Sequence, residues 1–229
     1  MGQVTIIIPV KDEEVGLRYL LDNFQNSSLN GSSEIVFIFV IDERTSDKSK
    51  SIATKFSDAI IDQRDTKGKG AAIKQAVSVW KSQKTPYVVF LDADGSYSFG
   101  AVDSVIKALK NGAEVVSGSR FMENRGRPDG MSRLHNFGNR VLSLVSSIRN
   151  RRRISDLCTG LWGFKSEALD SLAIKSNGFD IEAEIVGLSR KRGLKHVEIP
   201  VSWNQRKGGT SKLRSLTDGS IIFFRILRT

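Results

Sequence analysis

Apolar runs of strand length alternate with segments of helical periodicity through the first half of the chain. Val4-Thr5-Ile6-Ile7-Ile8 is β-branched and predicts a strand that Pro9 stops. A helix is expected from Glu13 to Phe24, with acids in its first turn, where the helix dipole favours them. Glu34 to Ile41 reads as a second strand, ending at Asp42-Glu43-Arg44-Thr45-Ser46-Asp47. From there Ser46 or Asp47 can cap a helix reaching Phe56. Ala59-Ile60-Ile61 is a short strand before Lys67-Gly68-Lys69-Gly70 and a helix through Trp80. Val88 to Leu91 predicts a buried strand, Val102 to Leu109 a helix, and Ala113 to Ser117 another strand. This alternation implies an α/β fold with a parallel sheet covered on both faces.

Past Arg120 the pattern changes. Glu123 to Ser132 is a Gly, Arg and Pro loop without periodicity. Leu134 to Ile148 has the spacing of a helix with a wide apolar face. Asp156 to Gly163 reads as a loop, Gly178 to Gly193 includes a helix carrying Glu182 and Glu184, and His196 to Trp203 returns as a strand. Gln205 to Lys212 is a basic loop with two adjacent glycines and the look of a mobile segment. In the last segment, Leu213 to Arg228, a helical wheel gathers Arg214, Asp218, Arg225 and Arg228 within an arc of roughly 80°. The rest of that wheel is largely apolar, which suits a membrane interface, packing on the chain's own domain, or a dimer contact.

The polar clusters fall at strand ends, the rim where open α/β sheets bind ligands. Foremost is Asp92-Ala93-Asp94-Gly95, two carboxylates able to face one point and a Gly that lets the chain turn. Such oxygen donors suit Mg²⁺ or Mn²⁺ shared with a phosphate; the alternative is an acidic turn that ends a strand. Gly68-Lys69-Gly70-Ala71-Ala72-Ile73 opens a helix whose amides could meet an anion, but it matches neither a dinucleotide fingerprint nor a P-loop. His135 and His196 lack ligand spacing, Cys158 has no nucleophile partner, and no Gly-x-Ser-x-Gly occurs.

Composition adds an ordinary soluble protein: 229 residues, 39% hydrophobic and 26% charged. The single Cys158 fits a reducing compartment. No signal peptide is read ahead of Val4, and the longest apolar runs are too short to span a bilayer. Charge changes the picture more. Of the net +10, residues 120–153 carry +7, with nine Arg and no Lys, and residues 190–229 carry +8. Two basic segments on an acidic remainder imply an anionic partner: nucleic acid, a membrane surface or a phosphorylated substrate. Against nucleic acid, no stacking-aromatic motif or recognition helix accompanies them, and the acidic strand ends would repel phosphate without a metal.

The order of the motifs resembles family 2 glycosyltransferases. It runs through Ile8 to Glu14, Val40 to Asp47, Gly68 to Ala71, Leu91 to Tyr97, Gly118 to Phe121 and Asp156 to Leu161, and ends in Pro200 to Trp203, Arg206 and Gly209 to Leu213. That ending looks most like dolichyl- or polyprenyl-phosphate mannose and glucose synthases. The resemblance implies a GT-A fold, a GDP- or UDP-linked sugar donor, inversion at the anomeric carbon, and a polyprenyl phosphate acceptor. It places Pro9, Lys11 and Glu13 at the base and ribose, with Asp42 holding one of them, and adds Lys69 and Ala93 to the donor site. Asp92 and Asp94 would hold the cation, Arg206 and Lys212 would reach the diphosphate, and Arg120 and Arg133 would take the acceptor phosphate. Arg127 or Arg140 could serve in place of Arg133.

One departure stands out: the second loop usually reads Asp-Asp-Gly-Ser, whereas here it is Asp42-Glu43-Arg44-Thr45. For a hydroxyl acceptor of a glycan, glycolipid or cell-wall polymer, a carboxylate base is required, and Asp156 is the candidate. Its alternative role is a tether of the loop or a partner of an Arg. The organisation expected is one catalytic domain over residues 1–212, with a nucleotide-sugar half to residue 119 and an acceptor half beyond. Residues 213–229 would form a basic helix that brings the domain to the cytoplasmic membrane face.

Overall fold

The computed structural model describes residues 3–30, 35–64, 66–122, 126–128, 130–214 and 216–229. The expected strand start at Glu34 and part of the loop beginning at Glu123 lie outside the described residues. Seven strands are formed: β1 (Val4–Val10), β2 (Ile35–Asp42), β3 (Ala59–Gln63), β4 (Tyr87–Leu91), β5 (Val115–Ser119), β6 (Leu161–Lys165) and β7 (His196–Pro200). They make one sheet in the order β3-β2-β1-β4-β6-β5-β7. Every pairing is parallel except those of β6, which runs antiparallel to both β4 and β5. Expectation and structure agree on a mostly parallel α/β sheet.

The helices are α1 (Glu14–Gln25), α2 (Ser49–Thr54), α3 (Lys69–Gln83), α4 (Phe99–Lys110), α5 (Arg133–Asn150), α6 (Ser166–Ser171), α7 (Ile181–Lys191) and α8 (Thr217–Arg228). Strand side chains alternate between two cores, which is why the strands read as unbroken apolar runs. Ile6, Ile8, Val89 and Leu91 meet α1, α2 and α4 on one face, while Ile7, Val88 and Phe90 meet α3 and α5 to α8 on the other. Ser98 and Ser132 cap α4 and α5 by accepting from Ala101 N and His135 N.

Three expectations are corrected. Pro9 does not stop β1, which continues to Val10. Pairing with β4 ends at Ile7, so beyond it that side of β1 is an edge, where the missing N–H costs nothing. The expected loop from Asp156 to Gly163 ends in β6, a five-residue strand too short to signal its own period. The return strand stops at Pro200, and Trp203 makes only an isolated bridge to Tyr97.

His196, at the start of β7, is 5% exposed, and its Nε2 lies 2.9 Å from Ser117 Oγ. Burial first, and the Arg152 charge second, push this imidazole down from 6.5 to about 3. Below 6.5 the unfolded chain binds a proton that the folded chain refuses until about 3, so stability falls as pH drops through that window. Wild type is expected to lose up to about 1.4 kcal/mol per pH unit more than His196→Gln there. Urea unfolding at a pH series measures this, and equal slopes would refute a buried neutral imidazole.

Candidate active site

Parallel strands β1, β2, β3 and β4 end on the same rim, so their terminal residues and the loops after them converge. A cavity of about 860 Å³ opens there. Of the residues expected at the site, Pro9, Lys11, Glu13, Asp42, Lys69, Asp92, Ala93, Asp94, Arg120, Arg206 and Lys212 line it. Arg133, the first residue of α5, is exposed, and Asp156 lies behind the wall.

The acid pair sits between two basic side chains. The Lys69 ammonium is 2.7 Å from Asp92 and 2.9 Å from Glu182, and Arg206 Nη2 is 3.3 Å from Asp94. Asp94 Oδ1 also accepts from Ser96 N at 3.0 Å and Ser96 Oγ at 2.5 Å. A Cβ on Gly160 would fall 1.9 Å from Asp92 Oδ2, so only glycine leaves room for that carboxylate. Burial works against the Lys69 charge, yet Asp92 and Glu182 outweigh it and hold the ammonium protonated well above its usual range. Asp92 and Asp94 offer the hard oxygens that Mg²⁺ or Mn²⁺ takes, but each already meets a cationic side chain, and among the described residues no cluster of three or more His, Cys, Asp or Glu ligands is gathered.

Beside it, Glu13 is clamped by Arg206 Nη1 at 2.6 and 2.7 Å, and burial still raises the Glu13 carboxyl above the usual range. The 205–212 loop is docked rather than loose: Lys207 N donates to Asp94 O at 3.1 Å, and its ammonium lies 4.5 Å from the Tyr19 ring centre. Arg44, the departure in the second loop, forks onto Asp42, with Nε 2.7 Å from Oδ1 and Nη2 against Oδ2. That pairing, foremost, lowers the Asp42 carboxyl. The Asp42 carboxylate is therefore already engaged by the chain.

Arg120 forks onto Asp156, Nε at 2.6 Å and Nη2 at 2.8 Å, and also donates to Cys158 O at 2.6 Å. Asp156 accepts further from Arg120 N and from Asn139 Nδ2, and its side chain is 0% exposed. Cys158 is half-buried on the cavity wall, its thiol pushed up to about 12 by burial and then by Glu182 and Asp156, which keeps it un-ionised.

Sequence reasoning missed Glu182 as a site residue. It stands in the first turn of α7 with Glu184, where an acid pair reads as dipole complement. Its partner, Lys69, is 113 positions away.

Part of the cavity lining is apolar. It includes Leu134, Phe137 and Val141 of α5 and Leu216, Ile222 and Phe223 in or beside α8, two helices that lie in contact. Phe137 is 67% and Leu216 81% exposed, and Leu144, Ile148 and Phe224 extend the apolar surface outside. Among the described residues no helix is long and apolar enough to cross a membrane.

The comparisons with known proteins follow this geometry. Glycosyltransferase AglJ of Haloferax volcanii is 27% identical over 98% of this chain and 71% of its own length. Dolichol-phosphate mannosyltransferase of Pyrococcus furiosus is 26% identical over 94% of this chain, which spans 60% of that relative. Among solved structures, glucosyl-3-phosphoglycerate synthase from Mycobacterium tuberculosis with phosphoglyceric acid superposes at TM-score 0.74, with 16% identity, covering 99% of this chain and 79% of that one. The same enzyme with Mn²⁺, uridine diphosphate and glucosyl-3-phosphoglycerate gives 0.71 and 15%, covering 99% and 77%. These likenesses establish the GT-A fold. The model of Glycosyl transferase family 2 matches residues 5–173, from β1 to just past α6, and the chain belongs to that family.

Proposed function

We propose that this enzyme moves a mannose- or glucose-type sugar from a UDP- or GDP-linked donor to a dolichyl or polyprenyl phosphate, with inversion. The observation that carries the reading is the mixed lining of one cavity: carboxylates, Lys69, Arg206 and Lys212 together with an apolar arm, the side chains of α5 and α8. A diphosphate matches the charged part, and an isoprenoid tail matches the apolar arm. The mannosyltransferase relative is named for a dolichol-phosphate acceptor, which supports the same choice.

In this reading an oxygen of the acceptor phosphate attacks the anomeric carbon opposite the diphosphate. The carbon–oxygen bond to the diphosphate breaks, and its electron pair leaves with the nucleotide. The phosphate is already anionic near neutral pH, so no base removes a proton. Arg206 and Lys212 place positive charge where the leaving group builds negative charge. Asp92 and Asp94 would hold Mg²⁺ or Mn²⁺, which when bound supplies further charge neutralisation to the diphosphate. Pro9, Lys11 and Ala93 line the donor pocket, and Asp42 meets the base or ribose in company with Arg44.

Arg120 and Arg133 serve the acceptor phosphate. Nη1 of Arg120 has no hydrogen-bond partner among the described residues, although its other donors are held by Asp156 and Cys158. Asp156 is a tether here, not a base, which disfavours a hydroxyl acceptor. The apolar surface of α5 and α8, with Arg140, Arg149 and Arg214 on the same helices or beside them, brings the enzyme to the cytoplasmic membrane face as a peripheral protein.

The test combines acceptor and surface. Purified protein with Mn²⁺ and UDP- or GDP-sugars is expected to label polyprenyl phosphate in anionic vesicles, and not phosphoglycerate or a glycan hydroxyl. Phe137→Glu is expected to weaken vesicle flotation and raise the lipid-acceptor KM by about 10- to 100-fold, the cost of one lost aromatic burial. Donor binding should not change. Transfer only to water-soluble or hydroxyl acceptors would sink the proposal.

A further inference from the structure

Arg225 belongs to the basic stripe on the helical wheel of the last segment, whose surroundings the sequence leaves open. The structure turns it inward. Its Nε is 2.7 Å from Asp180 Oδ2 and its Nη1 3.6 Å from Glu184 Oε1. Both acids are buried, at 5% and 4% exposure, and Arg225 is the cation paired with them among the described residues. Buried carboxylates demand such a partner.

Those acids have further bonds. Glu184 Oε2 accepts from Lys175 N at 2.9 Å and Ser176 N at 2.7 Å, and Asp180 Oδ2 accepts from Ser176 Oγ at 2.9 Å. They thereby fix the turn ahead of α7. That turn is seated against the first turn of α3 with no slack. Ala71 N donates to Asn177 O at 3.0 Å. A Cβ on Gly68 would lie 2.4 Å from Asn177 O, and one on Gly70 2.5 Å from Ser176 O. Lys69, between those two glycines, projects to Asp92 and Glu182.

We propose that Arg225 is a positioning residue for Asp92: through Asp180, Glu184 and the 175–177 turn it seats the start of α3 and so aims Lys69. The links are the 2.7 Å contact to Asp180 and the longer ion pair to Glu184, the short bonds from those acids to the turn, and a backbone packed too closely to shift alone. Displacing the turn therefore moves Lys69 relative to Asp92, and misplacing a supporting group degrades a charged site. On the same helix Ile222 and Phe223 line the apolar arm, so α8 both borders the acceptor end and sets the donor corner. The inference rests on Asp92 as a cation ligand.

The experiment titrates Mn²⁺ into UDP-loaded full-length protein, reading free Mn²⁺ by electron paramagnetic resonance, alongside kcat with a sugar donor. Arg225→Met is expected to weaken Mn²⁺ binding and lower kcat by about 10- to 100-fold, as supporting residues of metal sites do. Arg225→Lys should recover most of the loss, Lys69→Met should match it, and Arg225→Met with Lys69→Met should be no worse than Lys69→Met. Lys74→Met, at a half-buried residue that donates to Lys175 O and Asn177 Oδ1 in the same turn, should give a smaller loss in the same direction and reads the link should Arg225→Met not fold. Unchanged Mn²⁺ affinity in Arg225→Met, or in Lys74→Met if Arg225→Met does not fold, overturns the proposal. Losses that multiply in the double variant do the same. If Asp92→Asn keeps full Mn²⁺ affinity, the donor-corner reading fails and this inference with it; if Asp92→Asn loses affinity and Arg225→Met does not, only this inference fails.

Discussion

Asp94→Asn is expected to lower kcat by about 10²- to 10³-fold, the range for removing one preorganised electrostatic group from a charge-building step. The fold should survive. Asn keeps an oxygen for Ser96 N and Ser96 Oγ, and Arg206 keeps Glu13 at 2.6 Å after losing its 3.3 Å contact to Asp94. What disappears is the negative charge proposed to hold a cation beside the leaving diphosphate. Its loss should also raise the Mn²⁺ concentration needed for half-maximal rate, since one of two carboxylate ligands is gone. Steady-state kinetics over a Mn²⁺ series measure both effects. A kcat within about threefold of wild type would leave the pair as an acidic turn and remove the basis for metal-assisted departure.

Asp156→Ala is expected to cost about 3–5 kcal/mol of stability, because it strands a buried guanidinium. Arg120 has its side chain 10% exposed, and burial works against its charge; the Asp156 carboxylate is what holds it up. Asn139 loses a partner at the same time. Replacing Arg120 and Asp156 together by Met and Leu should recover much of the loss, since the stranded charge, not the missing attraction, is the larger cost. Urea unfolding of the two variants decides it. If Asp156→Asn instead unfolds like wild type and abolishes only turnover, Asp156 is a catalytic base and the acceptor is a hydroxyl.

The lining of the cavity was legible where its residues sit in one stretch of chain. Val88 to Leu91 is an apolar run closed by Asp92-Ala93-Asp94-Gly95, and both the strand and its two acids are placed as that pattern predicts. The same holds for Pro9, Glu13 and Asp42, each at or just past the end of β1 or β2. Strand β6 was not legible, because five residues, the first four buried, between a loop and α6 leave no periodicity to count. The apolar stripe of α5 was legible as a pattern, but its fate was not. A core face and a lipid-facing face carry the same spacing, and only the packing leaves Phe137 and Ile148 exposed while burying Leu142.

By itself the sequence determined the α/β layering, the rim on which ligands meet, and the acid pair at its centre. These follow from period and spacing, which act over a few residues. Tertiary structure decided who neutralises whom: Lys69 with Asp92 and Glu182, Arg206 with Glu13 and Asp94, Arg120 with Asp156, and Arg225 with Asp180 and Glu184. Each is a choice among many like charges far apart in the chain, and Coulomb attraction has no sequence period. It is settled only when folding brings one cation within reach of one buried carboxylate and the cost of leaving that charge unpaired excludes the rest.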